Sequence, residues 1–133
     1  MHEIHLKTER RTQLIEITEQ VREALGEANG AAAALVYVPH TTAGVAINER
    51  IDPELVDDLE NAFQRVVGDD WEWKHEDEDG PNAPSHARAS LASSPQVLIP
   101  LRDGALGLGT YQGIFFCEFD GPRDRKIYIT PIS

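Results

Sequence analysis

The sequence predicts an α+β domain with a mostly antiparallel sheet. Three observations lead there. Amphipathic helical patterns are short and confined to the first two-thirds of the chain. The last forty residues hold strand patterns separated by tight turns, with no helical period. No repeat, low-complexity tract or linker divides the 133 residues, so residues 1–133 read as a single domain.

The first strand is expected at residues 3–7, where polar and apolar side chains alternate. Residues 12–17 alternate again, with Leu14 on one face and Ile15 and Ile17 on the other. Thr18 is placed to cap a helix running to about Ala28. Val21, Ala24, Leu25 and Ala28 form its apolar stripe, and Asn29-Gly30 stops it. Residues 33–38 are a nearly continuous apolar run, as a central strand is, and Pro39 ends it. Residues 41–48 form the next short strand. Asp52-Pro53 then starts a helix, because Asp accepts from free amides and proline lacks only an amide that would be unpaired anyway. Leu55, Leu59, Phe63, Val66 and Val67 are its expected buried face, with Asp57, Asp58 and Glu60 in solvent. Residues 68–81 form a long polar loop with Trp71, Trp73 and His75, and loops of this length are more often functional than mere connectors. Asn82 is expected to cap a third short helix through about Ala92. Strands follow at residues 97–101, 105–110, 113–119 and 126–132, with turns at Arg102-Asp103-Gly104 and Gly121-Pro122.

Charge sharpens the picture. The net charge of −11 is local: residues 49–79 carry thirteen acids against Arg50, Arg65 and Lys74, and the remainder is nearly balanced. Such a chain lacks the basic face that nucleic acid requires. A solvated helix face plus an acidic loop accounts for the acidity, as does adaptation to high salt. No segment reaches the ~20 apolar residues of a membrane helix, and the N-terminus has no apolar signal core. A soluble cytoplasmic protein is the expectation. The single cysteine, Cys117, precludes an internal disulfide; it shares a strand face with Phe115 and Phe119 and reads as inert core.

Five histidines are present. His2 and His5 read as surface residues of the first strand. His40 stands at a strand junction after Pro39, His75 in the acidic loop beside Glu76 and Glu78, and His86 in the first turns of the third helix. Asn82, His86 and Ser90 recur at four-residue spacing and share one helix face. Three histidines from separate segments suit an open metal site or proton transfer near neutral pH, or they are scattered surface and core residues. Glu118 lies in an apolar strand and must find a partner or shift its pKa; it is either a strand end reaching water or a carboxylate in a pocket wall. Arg123, Arg125 and Lys126 form a basic cluster that either holds an anion such as phosphate or decorates a hairpin tip. The glycines of residues 107–113 have neither the spacing nor the following helix of a dinucleotide-binding loop, and there is no Walker or nucleophile-elbow pattern.

Three segments together resemble the YjbQ-like family: His40-Thr41-Thr42-Ala43-Gly44 through Glu49, Asn82-Ala83-Pro84-Ser85-His86, and Leu108-Gly109-Thr110-Tyr111-Gln112-Gly113-Ile114 followed by Glu118-Phe119-Asp120-Gly121-Pro122-Arg123. Tyr111 stands where many members have tryptophan. The resemblance implies an α+β sandwich, a homotrimer, and a polar pocket around His40, His75 and His86. It further implies that Thr41, Asn48, Ser90, Gln112 and Glu118 line the same site, and that the activity is of the thiamine-phosphate synthase type, joining a pyrimidine pyrophosphate to a thiazole phosphate. On that reading His40, His75, His86 and Glu118 are the catalytic group. Thr41, Asn48, Ser90, Gln112, Arg123 and Arg125 bind a small anionic metabolite, with Arg88 as a further candidate anion ligand. A divalent metal, zinc or magnesium, would sit on the three histidines. Imidazoles suit zinc better than magnesium, so a non-catalytic metabolite- or metal-binding trimer and a metal-dependent hydrolase stand as alternatives.

Overall fold

Period-2 patterning produces eight strands, and the computed structural model describes residues 1–76 and 80–133 of them and their connections. In chain order the elements are β1 (His2–Lys7), β2 (Gln13–Glu16), α1 (Thr18–Leu25), β3 (Ala33–Tyr37), β4 (Ala43–Glu49), α2 (Pro53–Gln64), α3 (Ala83–Ala92), β5 (Gln96–Arg102), β6 (Ala105–Leu106), β7 (Gln112–Glu118) and β8 (Asp124–Ile132). All pairings are antiparallel. One sheet runs β1-β8-β3-β5-β6 and the other β2-β7-β4. The domain is therefore the expected α+β sandwich with three short helices.

Central position explains β7. With a strand on each side and an apolar run from Ile114 to Cys117, it can bury both faces. Ile114 and Phe116 enter a core shared with α1 and the five-stranded sheet (Ile17, Val21, Val36, Ile127, Ile129). Phe115, Cys117 and Phe119 enter a second core that α2 and α3 cover, where Phe63 meets Phe119 at a ring distance of 6.2 Å. The smaller sheet is the middle layer of three.

Several local expectations give way to long-range partners. The Thr18 hydroxyl does not cap α1; it accepts from the Ile114 amide on β7, 2.9 Å away, and Ile17 precedes the helix with no side-chain cap. The helix ends at Gly26, whose φ of 59° is the left-handed conformation favoured by glycine, so it stops before Asn29-Gly30. Asp52 caps α2 as anticipated, accepting from the Glu54 amide at 2.9 Å. Glu60, expected in solvent, is the buried residue of that helix, where it takes both Arg10 and the Leu14 amide. Val66 is exposed instead of buried, and Val56 packs beside Leu59 and Phe63. The strand expected at residues 105–110 is only Ala105–Leu106, because Gly107 closes against the Pro100 carbonyl at 2.7 Å and Gln112 folds back to accept from Gly109.

Candidate functional site

The site lies where β4, α3 and the turn after β7 meet. Pro39 ends β3 and turns the chain, which delivers His40, Thr41 and Thr42 to the top of β4. The pairing of Ala43 with Glu118 brings the end of β7 to the same place. Together with α3 and the preceding segment these residues enclose a pocket of about 450 Å³ lined by Pro39, His40, Thr41, Thr42, His75, Asn82, His86, Asp120, Arg123 and Arg125.

Beneath it is a buried charge cluster. Glu118 is 0% exposed and Arg125 is 5% exposed. Arg125 donates to both Glu118 oxygens, 2.7 Å from Nε to Oε1, and its terminal amine also reaches the Thr42 hydroxyl at 2.8 Å. Thr8 donates to Glu118 Oε1 at 2.7 Å, and the Phe119 and Asp120 amides donate to Oε2 at 3.1 and 3.0 Å. A carboxylate with this many donors is fully satisfied. Glu118, expected in the catalytic group, lies beneath the pocket and outside its lining. It holds Arg125 in place under the pocket.

The rim is built on Asp120. One of its oxygens accepts from Asn82 Nδ2 at 3.0 Å and from Arg123 at 2.8 Å, while Arg123 Nε donates to the Asp120 carbonyl. Asn82 thus uses its amide to fasten α3 to the β7 turn and does not cap the helix. The Arg123 amide donates to Thr8 Oγ1, which ties rim to floor.

The imidazoles differ. His40 Nε2 accepts from the Lys126 amide at 2.9 Å. Burial, reinforced by the neighbouring Arg125 charge, holds its pKa below the ordinary value. It is neutral at pH 7, and its proton sits on Nδ1. His75 and His86 meet edge-on, with ring centroids 5.1 Å apart and an interplanar angle of 85°. The charge balance around the opening is three imidazoles and two guanidiniums against Asp120, with Glu118 below, in a chain of net charge −11.

Six of the anticipated residues line this pocket: His40, Thr41, His75, His86, Arg123 and Arg125. Asn48 and Gln112 do not. They stand near the far end of the β4–β7 ladder, Asn48 about 17 Å along its strand from Ala43 and Gln112 about 20 Å from Glu118. Asn48 accepts from the Glu49 amide, and Gln112 from Gly109. Ser90 is exposed one turn beyond His86 and outside the lining. Arg88 is 2% exposed and binds the Gln64 and Val67 carbonyls and Asp69, so it is no ligand of this pocket. Glu78 lies outside the described residues. Asp120 and Thr42 were missed as site residues. The signal for Asp120 is its three-residue spacing from Arg123 across Gly121-Pro122, a turn that lets the two charges meet. Among the described residues no three His, Cys, Asp or Glu side chains are grouped to hold a metal ion.

A family model described as UPF0047 protein YjbQ-like matches residues 2–133. The chain belongs to this YjbQ-like family. As a YjbQ-like protein it is 40% identical over 129 residues to the UPF0047 protein MJ1081 of Methanocaldococcus jannaschii, covering 96% of this chain and 91% of the relative. It is 42% identical over 130 residues to the UPF0047 protein YugU of Bacillus subtilis, covering 95% and 94%. The fold matches a crystal structure of a YjbQ/UPF0047 protein from Clostridium acetobutylicum, with TM-score 0.87, 41% identity and coverage of 99% of this chain and 100% of that one. It also matches the protein APE1520 of Aeropyrum pernix, with TM-score 0.88, 36% identity and coverage of 98% and 96%. No helix among the described residues is long and apolar enough to cross a membrane.

Proposed function

We propose that this YjbQ-like protein binds a small phosphorylated metabolite in the His40–His86 pocket and catalyses a transfer of the thiamine-phosphate synthase type, in the cytoplasm. The observation that carries the reading is the gathering of Arg123, Arg125 and three imidazoles at one opening of an otherwise acidic chain. Guanidiniums match the oxygens of a phosphate or pyrophosphate geometrically, and imidazoles exchange protons near neutral pH. In such a reaction the bond from the pyrimidine methylene carbon to the pyrophosphate oxygen breaks, and its electron pair leaves with pyrophosphate. The thiazole nitrogen supplies the pair for the new carbon–nitrogen bond. Arg123 and Arg125 hold the anion, His86 gives a proton to the departing oxygen, and neutral His40 donates a hydrogen bond from Nδ1.

The donor set does not make a three-histidine metal centre, because His40 Nε2 is taken by the Lys126 amide and the remaining pair is two imidazoles. Turnover with and without chelator tests whether zinc or magnesium takes part. Assembly as a homotrimer is part of the proposal. It is supported by the outer face of the larger sheet, where Leu35 pairs with Leu98 and Tyr37 with Tyr128, and where Leu98 is 61% exposed. Sedimentation of the purified chain checks it.

Incubation with the two precursors is expected to give thiamine phosphate and pyrophosphate, and His86→Gln to abolish product while the fold persists. Absence of turnover in the parent protein refutes the catalytic reading. The second reading, anion capture without chemistry, is favoured by the internal pairing of both arginines, which makes a preformed binding frame. It is distinguished by ligand binding without turnover.

A further inference from the structure

His86 and Arg88 are two residues apart on α3, which turns them about 200° from each other around the helix axis. His86 faces the pocket described above. Arg88 faces the opposite way, toward the end of α2 and the segment after it. There a second pocket of about 240 Å³ is lined by Arg10, Arg11, Thr12, Gln64, Asp69 and Arg88. It shares no residue with the first.

Three guanidiniums meet two carboxylates in this place. Glu60 is committed to Arg10, with contacts of 2.7 and 3.2 Å, and to the Leu14 amide. That leaves Asp69 for both Arg11 and Arg88. It serves them through one oxygen, Oδ1, at 2.8 Å from Arg11 and 3.2 Å from Arg88. Arg88 is nearly fully buried, and its Nε has no hydrogen-bond partner among the described residues. The Asp69 side chain is 56% exposed and approaches from the solvent side. A buried guanidinium is costly without a matching anion. Arg88 Nη2 is taken by the Gln64 and Val67 carbonyls, which carry no charge, so one shared carboxylate oxygen is an incomplete anionic match, whereas a phosphate offers several oxygens to two guanidiniums at once.

We propose that this second pocket is an oxyanion site for phosphate or a phosphate monoester, in which the Asp69 carboxylate is a tethered occupant that the ligand displaces. Displacement has a built-in reporter. The two tryptophans of the chain, Trp71 and Trp73, stack with centroids 5.8 Å apart just after Asp69, and Trp73 Nε1 donates to the Gly68 carbonyl. Releasing Asp69 changes the surroundings of both rings.

The test is a titration of the full chain with inorganic phosphate at constant ionic strength, read by tryptophan emission and by calorimetry. Asp69→Asn removes the competing charge and is expected to tighten phosphate binding several-fold. Arg11→Gln changes an exposed side chain, keeps the Arg88–Asp69 contact, and is expected to weaken binding about tenfold. His86→Gln is expected to leave this binding unchanged. Binding whose affinity Arg11→Gln leaves unchanged, or that Asp69→Asn weakens, overturns the proposal. Binding abolished by His86→Gln assigns phosphate to the first pocket and overturns it as well. With methyl phosphate as titrant, equal affinity identifies a monoester site, and loss of binding restricts the site to free phosphate. A product assay at the first pocket is independent of all these outcomes.

Discussion

The Glu118–Arg125 pair invites a quantitative test. Replacing Glu118 by Gln removes the negative charge from a position with no solvent exposure and leaves Arg125, 5% exposed, charged and unmatched. Breaking one side of a buried pair in this way costs about 3–5 kcal/mol. That is a large part of the roughly 5–15 kcal/mol that holds a typical domain folded. The pair's own worth is a different quantity. Arg125→Met leaves a buried carboxylate with only Thr8 and two backbone amides as donors, and is expected to cost a similar amount. In the double variant Glu118→Leu with Arg125→Met neither charge remains. Its cost is then limited to the Asp120 amide and the Thr42 hydroxyl, at about 1–3 kcal/mol each, because the Phe119 amide keeps the Thr42 carbonyl and the Thr8 hydroxyl keeps the Arg123 carbonyl. Urea unfolding followed by circular dichroism, analysed as a double-mutant cycle, should show a double variant at least about 2 kcal/mol more stable than the sum of the singles predicts. A Glu118→Gln cost below about 1 kcal/mol, or strict additivity, would refute the assignment of Glu118 as the support of Arg125.

Three other outcomes follow from the packing. The Cys117 thiol, pushed up to about 12 by burial, should not react with an aromatic disulfide reagent in the native protein and should react fully in denaturant. Gly44→Ala puts a Cβ 2.1 Å from Ser93 Oγ and 2.8 Å from the Ser94 carbonyl, so it should destabilise by about 1–3 kcal/mol in thermal or urea melts, and Ser93→Ala should restore only part, since the carbonyl remains. His40 should titrate below 6.5 by NMR, with the Lys126 amide resonance moving at the same midpoint. Because the folded pKa is the lower one, the stability His40 contributes is complete above pH 6.5 and lost as pH falls through the folded value, and His40→Gln should flatten that part of the pH–stability curve.

Features that depend on near neighbours were legible in the sequence. The alternation of Ile114 and Phe116 with Phe115 and Cys117 places each ring in its observed core, and Asp52-Pro53 starts α2 as its chemistry requires. What escaped is set by distant partners. Thr18 could cap a helix, but the Ile114 amide, 96 residues away, claims its oxygen. Glu60 fits a polar helix face, but Arg10, 50 residues earlier, draws it inward. The same limit applies to the site. His40, His75 and His86 share a pocket, yet Asn48 and Gln112, taken from equally clear motifs, stand at the other end of the ladder, because a motif marks a position along the chain and the register of β4 on β7 decides its place in space. Arg88 reads as a further anion ligand of the same pocket, and only the meeting of α2 with α3 makes it a buried anchor facing the other way.

The doubly buried β7 also sets a gradient of motion across the pocket. Its amides, paired on both sides and covered by both cores, belong to the last part of the chain to open to solvent and should exchange with deuterium only on global unfolding. Glu118 ends that strand, and Arg125 hangs from Glu118, so the floor that receives an anion inherits the stiffness of the core. His75 comes from an exposed segment that has few backbone hydrogen bonds among the described residues and should exchange orders of magnitude faster. One wall of the cleft is fixed before a ligand arrives, and the other is free to fit itself around what the first has caught.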